Sequence, residues 1–148
     1  MTDLGFTTEQ VLRRAKGNET AIWHVTLLWA REQPGGVDGW ATFIGEHFAP
    51  SWDELGDDTS AIEVARQAAL NFATTADMEP VDLRGDDSRA VLSIAGPEQE
   101  WLDEMGTTRD ELDRTNELIY STIAKRRGLS LTAERAEGNL RLTFSRRD

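Results

Sequence analysis

Two side chains in the chain titrate near neutrality, His24 and His47. They fall in the stretch that also holds Trp23, Trp29, Trp40 and Trp52, four of the five tryptophans. A helix is expected from about Gly39 to Ala49, ended by Pro50. At ~100° per residue, Trp40, Phe43, Ile44 and His47 share its inner stripe. A half-buried imidazole among aromatic rings favours its neutral form, which suits a general acid/base or a ligand role. His47 is therefore the candidate catalytic residue. The competing role is a core histidine bonded to a backbone carbonyl. His24 lies at the border of the apolar face of the preceding helix, near Leu28. If the two helices are antiparallel neighbours, both imidazoles face one pocket, and Glu46 or Glu19 would complete a divalent-metal set. No HExxH spacing calls for a metal, and none is assigned.

Asn116 interrupts the apolar stripe Leu112, Ile119, Ile123 of a later helix. A buried amide needs partners. It either bonds a neighbouring helix or strand end, or offers a polar contact to a bound molecule. Tyr120, the single tyrosine, stands one turn on and would add a hydroxyl. Together with Trp29, Trp40, Phe43 and His24, these two residues make up the expected ligand-binding set. The carboxylates Asp110, Asp113 and Glu117 share that helix's outer face with Arg114, a solvated pattern. The acidic run Asp53, Glu54, Asp57 and Asp58 reads as a loop and a helix start.

Composition removes several classes of chemistry. The absence of cysteine rules out disulfides, thiolate metal sites and a cysteine nucleophile. The net charge of −11 disfavours nucleic acid, which is held by Lys/Arg neutralisation of phosphate. The one basic cluster, Lys125-Arg126-Arg127, complements the dipole at a helix end. There is no GxSxG, P-loop or GxGxxG, so no cofactor is implied. No run reaches the roughly 18 apolar residues of a membrane span, and Met1 to Thr8 lacks the regions of a signal peptide; a cytoplasmic protein is expected. The heavy excess of arginine over lysine is associated with GC-rich bacterial genomes.

At 148 residues the chain fits one domain, helical over 1–78 and hairpin–helix–hairpin over 79–148. Thr7 with Gln10 forms a capping box, with Phe6 and Val11 as a hydrophobic staple and Gly17 as the expected stop. Asn18 would cap a second helix to Arg31, with Ile22, Val25 and Trp29 on its main face; apolar nearly all round, it reads as buried. Gln33 to Gly36 breaks it. Ser51 to Leu55 reads as one further helical turn. Ser60 with Glu63 caps an alanine-rich helix suited to close approach by another helix or a ligand. Val81–Arg84 and Arg89–Ala95 form a hairpin with Ala90, Leu92 and Ile94 inward. Gly96-Pro97 starts a short helix, Pro at N1, which closes at Gly106. Thr108 with Glu111 opens the longest helix, stopped at Gly128. A second hairpin, 129–135 and 140–146, turns at Glu137-Gly138-Asn139. The expectation is an α+β fold: an N-terminal helical layer, then a four-stranded antiparallel sheet with helices packed on one face.

The hairpin Val81-Asp82-Leu83 … Arg89-Ala90-Val91-Leu92-Ser93-Ile94 runs into a helix. Gly128-Leu129-Ser130-Leu131, a turn with Gly138, and Leu140-Arg141-Leu142-Thr143-Phe144 follow. This order over 80–146 resembles the C-terminal half of the bacterial L-2-amino-thiazoline-4-carboxylic acid hydrolase-like family and, more distantly, the 4-vinyl reductase small-molecule-binding domains. The resemblance implies a small-molecule pocket enclosed by helices and hairpins. Where those families carry cysteines, this chain has Asn116 and Leu142, so their thiol and cysteine–metal chemistry does not transfer. The first expected function is thus binding of a small, partly apolar or aromatic molecule, with hydrolase- or lyase-type acid/base chemistry at His47. The alternatives are an interaction or homodimerisation domain built on the tryptophan patch, and haem or tetrapyrrole binding through either histidine.

Overall fold

A computed structural model describes residues 5–56 and 59–147, so the acidic positions Asp57 and Asp58 lie outside the described residues. The order is α1 (Thr8–Arg31), α2 (Gly36–Phe48), a 3-10 helix (Ala49–Leu55), α3 (Ala61–Phe72), β1 (Glu79–Gly85), β2 (Arg89–Ala95), α4 (Gln99–Met105), α5 (Arg109–Arg126), β3 (Leu129–Ala136) and β4 (Asn139–Arg146). The fold is α+β.

The three capping boxes expected at Thr7, Ser60 and Thr108 all form. Thr7 accepts from the Gln10 amide at 3.1 Å, and Gln10 Oε1 accepts from the Thr7 amide at 2.9 Å. Each such cap is worth about 1 kcal/mol and fixes where its helix begins. The expected stop at Gly17 is overturned, because α1 runs unbroken from Thr8 to Arg31. A single glycine inside a helix costs only about 1 kcal/mol relative to alanine, and no proline follows to enforce an end. Pro97 is not at N1 of the short helix either; Glu98 is its N-cap and the first turn opens at Gln99.

The two hairpins join through β2 and β4, giving an antiparallel sheet in the order β1-β2-β4-β3. Leu92 pairs with Leu142, and Ala90 with Phe144. The second hairpin turns on Glu137 and Gly138, with φ of 52° and 82°. Left-handed values at both central residues match the strand twist of a tight hairpin, and glycine accepts them without strain. Pro80, which lacks an amide hydrogen, sits on edge strand β1 beside an irregularity between Pro80 and Asp82, where the lost donor breaks no central ladder. Ala90, Leu92, Ile94, Leu140, Leu142 and Phe144 are buried on the dry face, while Ser130, Thr132 and Glu134 are exposed on the other.

Two helices cover the dry face. α3 packs on β1, β2 and β4, and α5 packs mainly on β3. The small residues of α3 (Ala61, Ala65 and Ala68, all fully buried) serve contact with the sheet rather than with another helix. α2 lies on the opposite side of α5. A Cβ placed on Gly45 would come within 3.2 Å of the Ile119 Cα and 3.0 Å of the Thr122 Cβ, so the backbones meet nearly in contact.

This close approach corrects the expected phase of α2. Its buried positions are Ala41 and Gly45; Trp40 and Ile44 are half-buried, and Phe43 and His47 are exposed. The contact selects the smallest residues, so the bulky aromatic stripe turns aside from it. α1 is corrected in the same way. Its buried residues are Thr20, His24, Leu27 and Ala30, whereas Ile22 is 65% and Trp29 59% exposed. Apolar on two sides, the helix has a choice of face, and the buried face is the one that satisfies the His24 imidazole.

Candidate functional site

Because α3 and α5 share one sheet face without touching along their whole lengths, a gap opens between them. α1, the 3-10 helix and residues 74–78 border it, leaving a half-open cavity of about 570 Å³. Trp23 of α1, Trp52 of the 3-10 helix, Phe72 of α3 and Tyr120 of α5 supply aromatic wall, with Phe48 at the end of α2. The rings brace one another. Phe72 stacks on Tyr120 at 5.2 Å, Trp52 meets Tyr120 edge-on at 6.1 Å, and Trp40 supports Trp23 from behind at 5.0 Å. Pro50 in the first turn of the 3-10 helix sets the chain direction that turns Trp52 inward, where it is almost fully buried.

Polar side chains supply about half of the lining, among them Glu19, Thr20, Glu54, Gln67, Asp77 and Asn116. Asn116 is 5% exposed; its amide nitrogen donates to Leu112 O at 2.9 Å and lies 3.5 Å from the Met78 sulfur. Its carbonyl oxygen accepts no hydrogen bond from the described residues. The amide thus both bonds its own helix and lines the cavity. Burial raises the Tyr120 hydroxyl above its ordinary range, against the opposing effect of a hydrogen bond from Asn71.

His24 is 1% exposed and is held at both ring nitrogens. Nε2 lies 2.8 Å from Asp77 Oδ2, and Nδ1 lies 3.0 Å from Thr107 Oγ1. The carboxylate only accepts, so Nε2 carries a proton; in the neutral ring Nδ1 accepts from the threonine hydroxyl. Trp101 packs edge-on against the imidazole at 4.4 Å. Thr20 lies 3.5 Å from Asp77 Oδ1 and accepts from the Ala76 amide at 2.9 Å. Asp77 and Thr20 line the main cavity and also a second one of about 550 Å³ bounded by Trp101 and Met105. The His24–Asp77–Thr20 network is therefore the partition between two hollows, and it presents one oriented carboxylate to them.

His47 stands apart. It is exposed, lies 3.9 Å from the Phe43 ring, and has Nδ1 2.8 Å from Phe43 O, a backbone partner without the expected burial. Trp29, Phe43 and His47 do not reach the cavity, Trp40 backs its wall, Asn116 and Tyr120 line it, and His24 touches it through Asp77. The two histidines do not share a pocket. Both nitrogens of His24 being engaged leaves none free for a haem iron or metal. Among the described residues, no three His, Asp or Glu side chains are grouped to hold a metal ion, and no helix is long and apolar enough to cross a membrane. Trp52, Phe72, Asn71 and Asp77 carry no local motif; only Pro50, as a helix opener, foreshadows Trp52.

Ion pairs fasten the surrounding elements. Arg126 and Arg127 clamp Asp53 from the end of α5, Arg31 bonds Glu111 through Nε at 2.6 Å, and Arg135 bonds Asp113 through Nε at 2.8 Å. The basic cluster thus ties the 3-10 helix to α5. Compared with known proteins, the chain matches no family model and no curated relative.

Two outcomes follow from this geometry. His24→Ala strands a nearly buried carboxylate and should cost about 3 kcal/mol in urea unfolding, whereas His47→Ala should stay within about 0.5 kcal/mol; equal effects would contradict the burial of His24. For Tyr120, a folded pKa above the unfolded value of about 10 means the folded state holds its proton more tightly. The stability from this burial is complete below about pH 10 and is lost as pH rises beyond it. Since Tyr120 is the only tyrosine, phenolate absorbance at about 295 nm should rise later in the folded than in the unfolded chain, and Tyr120→Phe should flatten the alkaline fall in stability.

Proposed function

We propose that the protein binds a small, partly apolar or aromatic molecule in the cavity between α1, the 3-10 helix, α3 and α5. The observation that carries this reading is the cavity itself: about 570 Å³, walled in part by mutually braced rings, with polar side chains set between them. Ligand sites typically fall between about 300 and 1,000 Å³ and combine mostly apolar walls with a small number of placed polar groups. The resemblance of the hairpin–helix–hairpin order to the L-2-amino-thiazoline-4-carboxylic acid hydrolase-like family implies the same kind of pocket. His47 lies outside the cavity wall, so the proposal is of binding, with no acid/base step assigned to that residue. Gln67 lines the cavity from α3. Titration of 4-fluorobenzyl alcohol, followed by ¹⁹F line broadening, should show saturable binding that Gln67→Trp removes at unchanged thermal stability. Broadening that persists in the filled variant places the ligand elsewhere and sinks the reading.

A second reading, self-association through α1, is favoured by the helix's uncovered side. Val11, Ala15, Asn18, Ile22, Val25 and Trp29 alternate in steps of four and three, and all are exposed. This is the spacing of a two-helix seam, interrupted by a single asparagine. Leu12 extends the exposed apolar patch beside them. In a parallel pair, Arg14 of one copy falls opposite Glu19 of the second, five residues on, the complementary flanking arrangement. Sedimentation should report a dimer that Ile22→Glu with Val25→Glu converts to monomer; a wild-type monomer at high micromolar concentration refutes it.

A further inference from the structure

We infer that the ligand of this cavity is a cation, an amine or quaternary ammonium carried on an apolar or aromatic body. This rests on the small-molecule reading above and adds the charge of the ligand. The wall combines two features that point the same way. Trp23, Trp52, Phe72 and Tyr120 line the space, and aromatic rings attract organic cations through the negative potential of their faces. Three carboxylates, Glu19, Glu54 and Asp77, also line it, while no lysine, arginine or histidine among the described residues does. Arg126 and Arg127, at the end of α5, are engaged with Asp53, and Arg31 of α1 with Glu111.

Each charge class of ligand meets a different environment here. An anion entering the cavity loses hydration, finds no cation, and approaches three carboxylates. A neutral molecule of the same shape gains the apolar contact but displaces water from those carboxylates without replacing it. A cation gains the ring contacts and neutralises the wall at once. Asp77 is the best placed of the three: its side chain is 11% exposed, and His24 and Thr20 fix its orientation, so little ordering is needed when a cation arrives. The unpartnered carbonyl oxygen of the nearly buried Asn116 provides an acceptor for an ammonium hydrogen.

Three probes of matched shape test the inference: 4-fluorobenzyltrimethylammonium, its neutral carbon isostere 1-fluoro-4-neopentylbenzene, and 4-fluorophenylmethanesulfonate. Binding is read by ¹⁹F line broadening and by tryptophan emission on the intact chain. The ammonium is expected to bind about tenfold or more tighter than the neutral isostere, and the sulfonate not at all. The advantage should shrink several-fold in Glu54→Gln, a change at an exposed residue. If the neutral isostere binds as well as the ammonium, or the sulfonate binds best, the charge assignment is overturned while the pocket reading stands. If none of the three is bound, both fail together.

Discussion

The burial of α5 on two sides is the constraint on which the rest of the molecule depends. Its Ile119, Ile123 and Ala124 belong to the same buried cluster as the sheet residues Leu92, Leu142 and Phe144, and its back carries α2 so closely that a Cβ on Gly45 would crowd Ile119 and Thr122. A helix held so firmly cannot slide toward α3. Tyr120 and Phe72 meet across the space between them, and the rest of it stays open. The cavity is thus a consequence of two well-packed interfaces, α5 on β3 and α3 on β1 and β2, whose spacing the sheet dictates. Cores normally lack voids because a void forfeits dispersion contacts. A hollow this large, kept open by braced aromatic rings, marks a place where packing has given way to something else.

Polarity is distributed around that hollow in a deliberate pattern of satisfied and unsatisfied groups. His24 is a buried imidazole with both nitrogens occupied, which removes its own reactivity and uses it to hold Asp77. His24, expected among the ligand-binding residues, is therefore a support, and the group it supports is the one that meets the cavity. Trp101 closes the other side of the imidazole, keeping the network dry enough for its hydrogen bonds to matter.

Much of this was legible in the sequence, and the failures share one cause. Capping boxes at Thr7, Ser60 and Thr108 located three helix starts because capping is local: a side chain and an amide three residues apart settle it. The strand alternation of Ala90, Leu92, Ile94 and Leu140, Leu142, Phe144 identified the dry sheet face because strands have only two faces. The helical faces of α1 and α2 were misjudged because bulk was equated with burial. Where helices pack at Gly45 and Ala41, the inner positions are the smallest, and Phe43 and His47 are displaced outward. Asn116 and Tyr120 were expected at a ligand site, and both line the cavity, on a helix whose phase was clear. Asp77 and Trp52 were missed because their roles come from contacts across 53 residues to His24 and 68 residues to Tyr120, which no local spacing encodes.

The first three turns of α1 are, apart from half-buried Lys16, exposed from Thr8 to Glu19. A helical segment of that length without tertiary contacts is marginal in water, because nucleation is costly and about a dozen residues return little beyond it. Its helicity is propagated from the anchored half, where Thr20, His24, Leu27 and Ala30 are packed. The amides of this arm therefore belong to the lowest rung of local stability in the molecule and exchange with solvent by fraying from Thr7 inward, long before the sheet opens. Glu19 and Thr20, which border the cavity, lie where that fraying meets packed structure, so the order of the arm and the shape of the cavity wall are set at the same turn of helix.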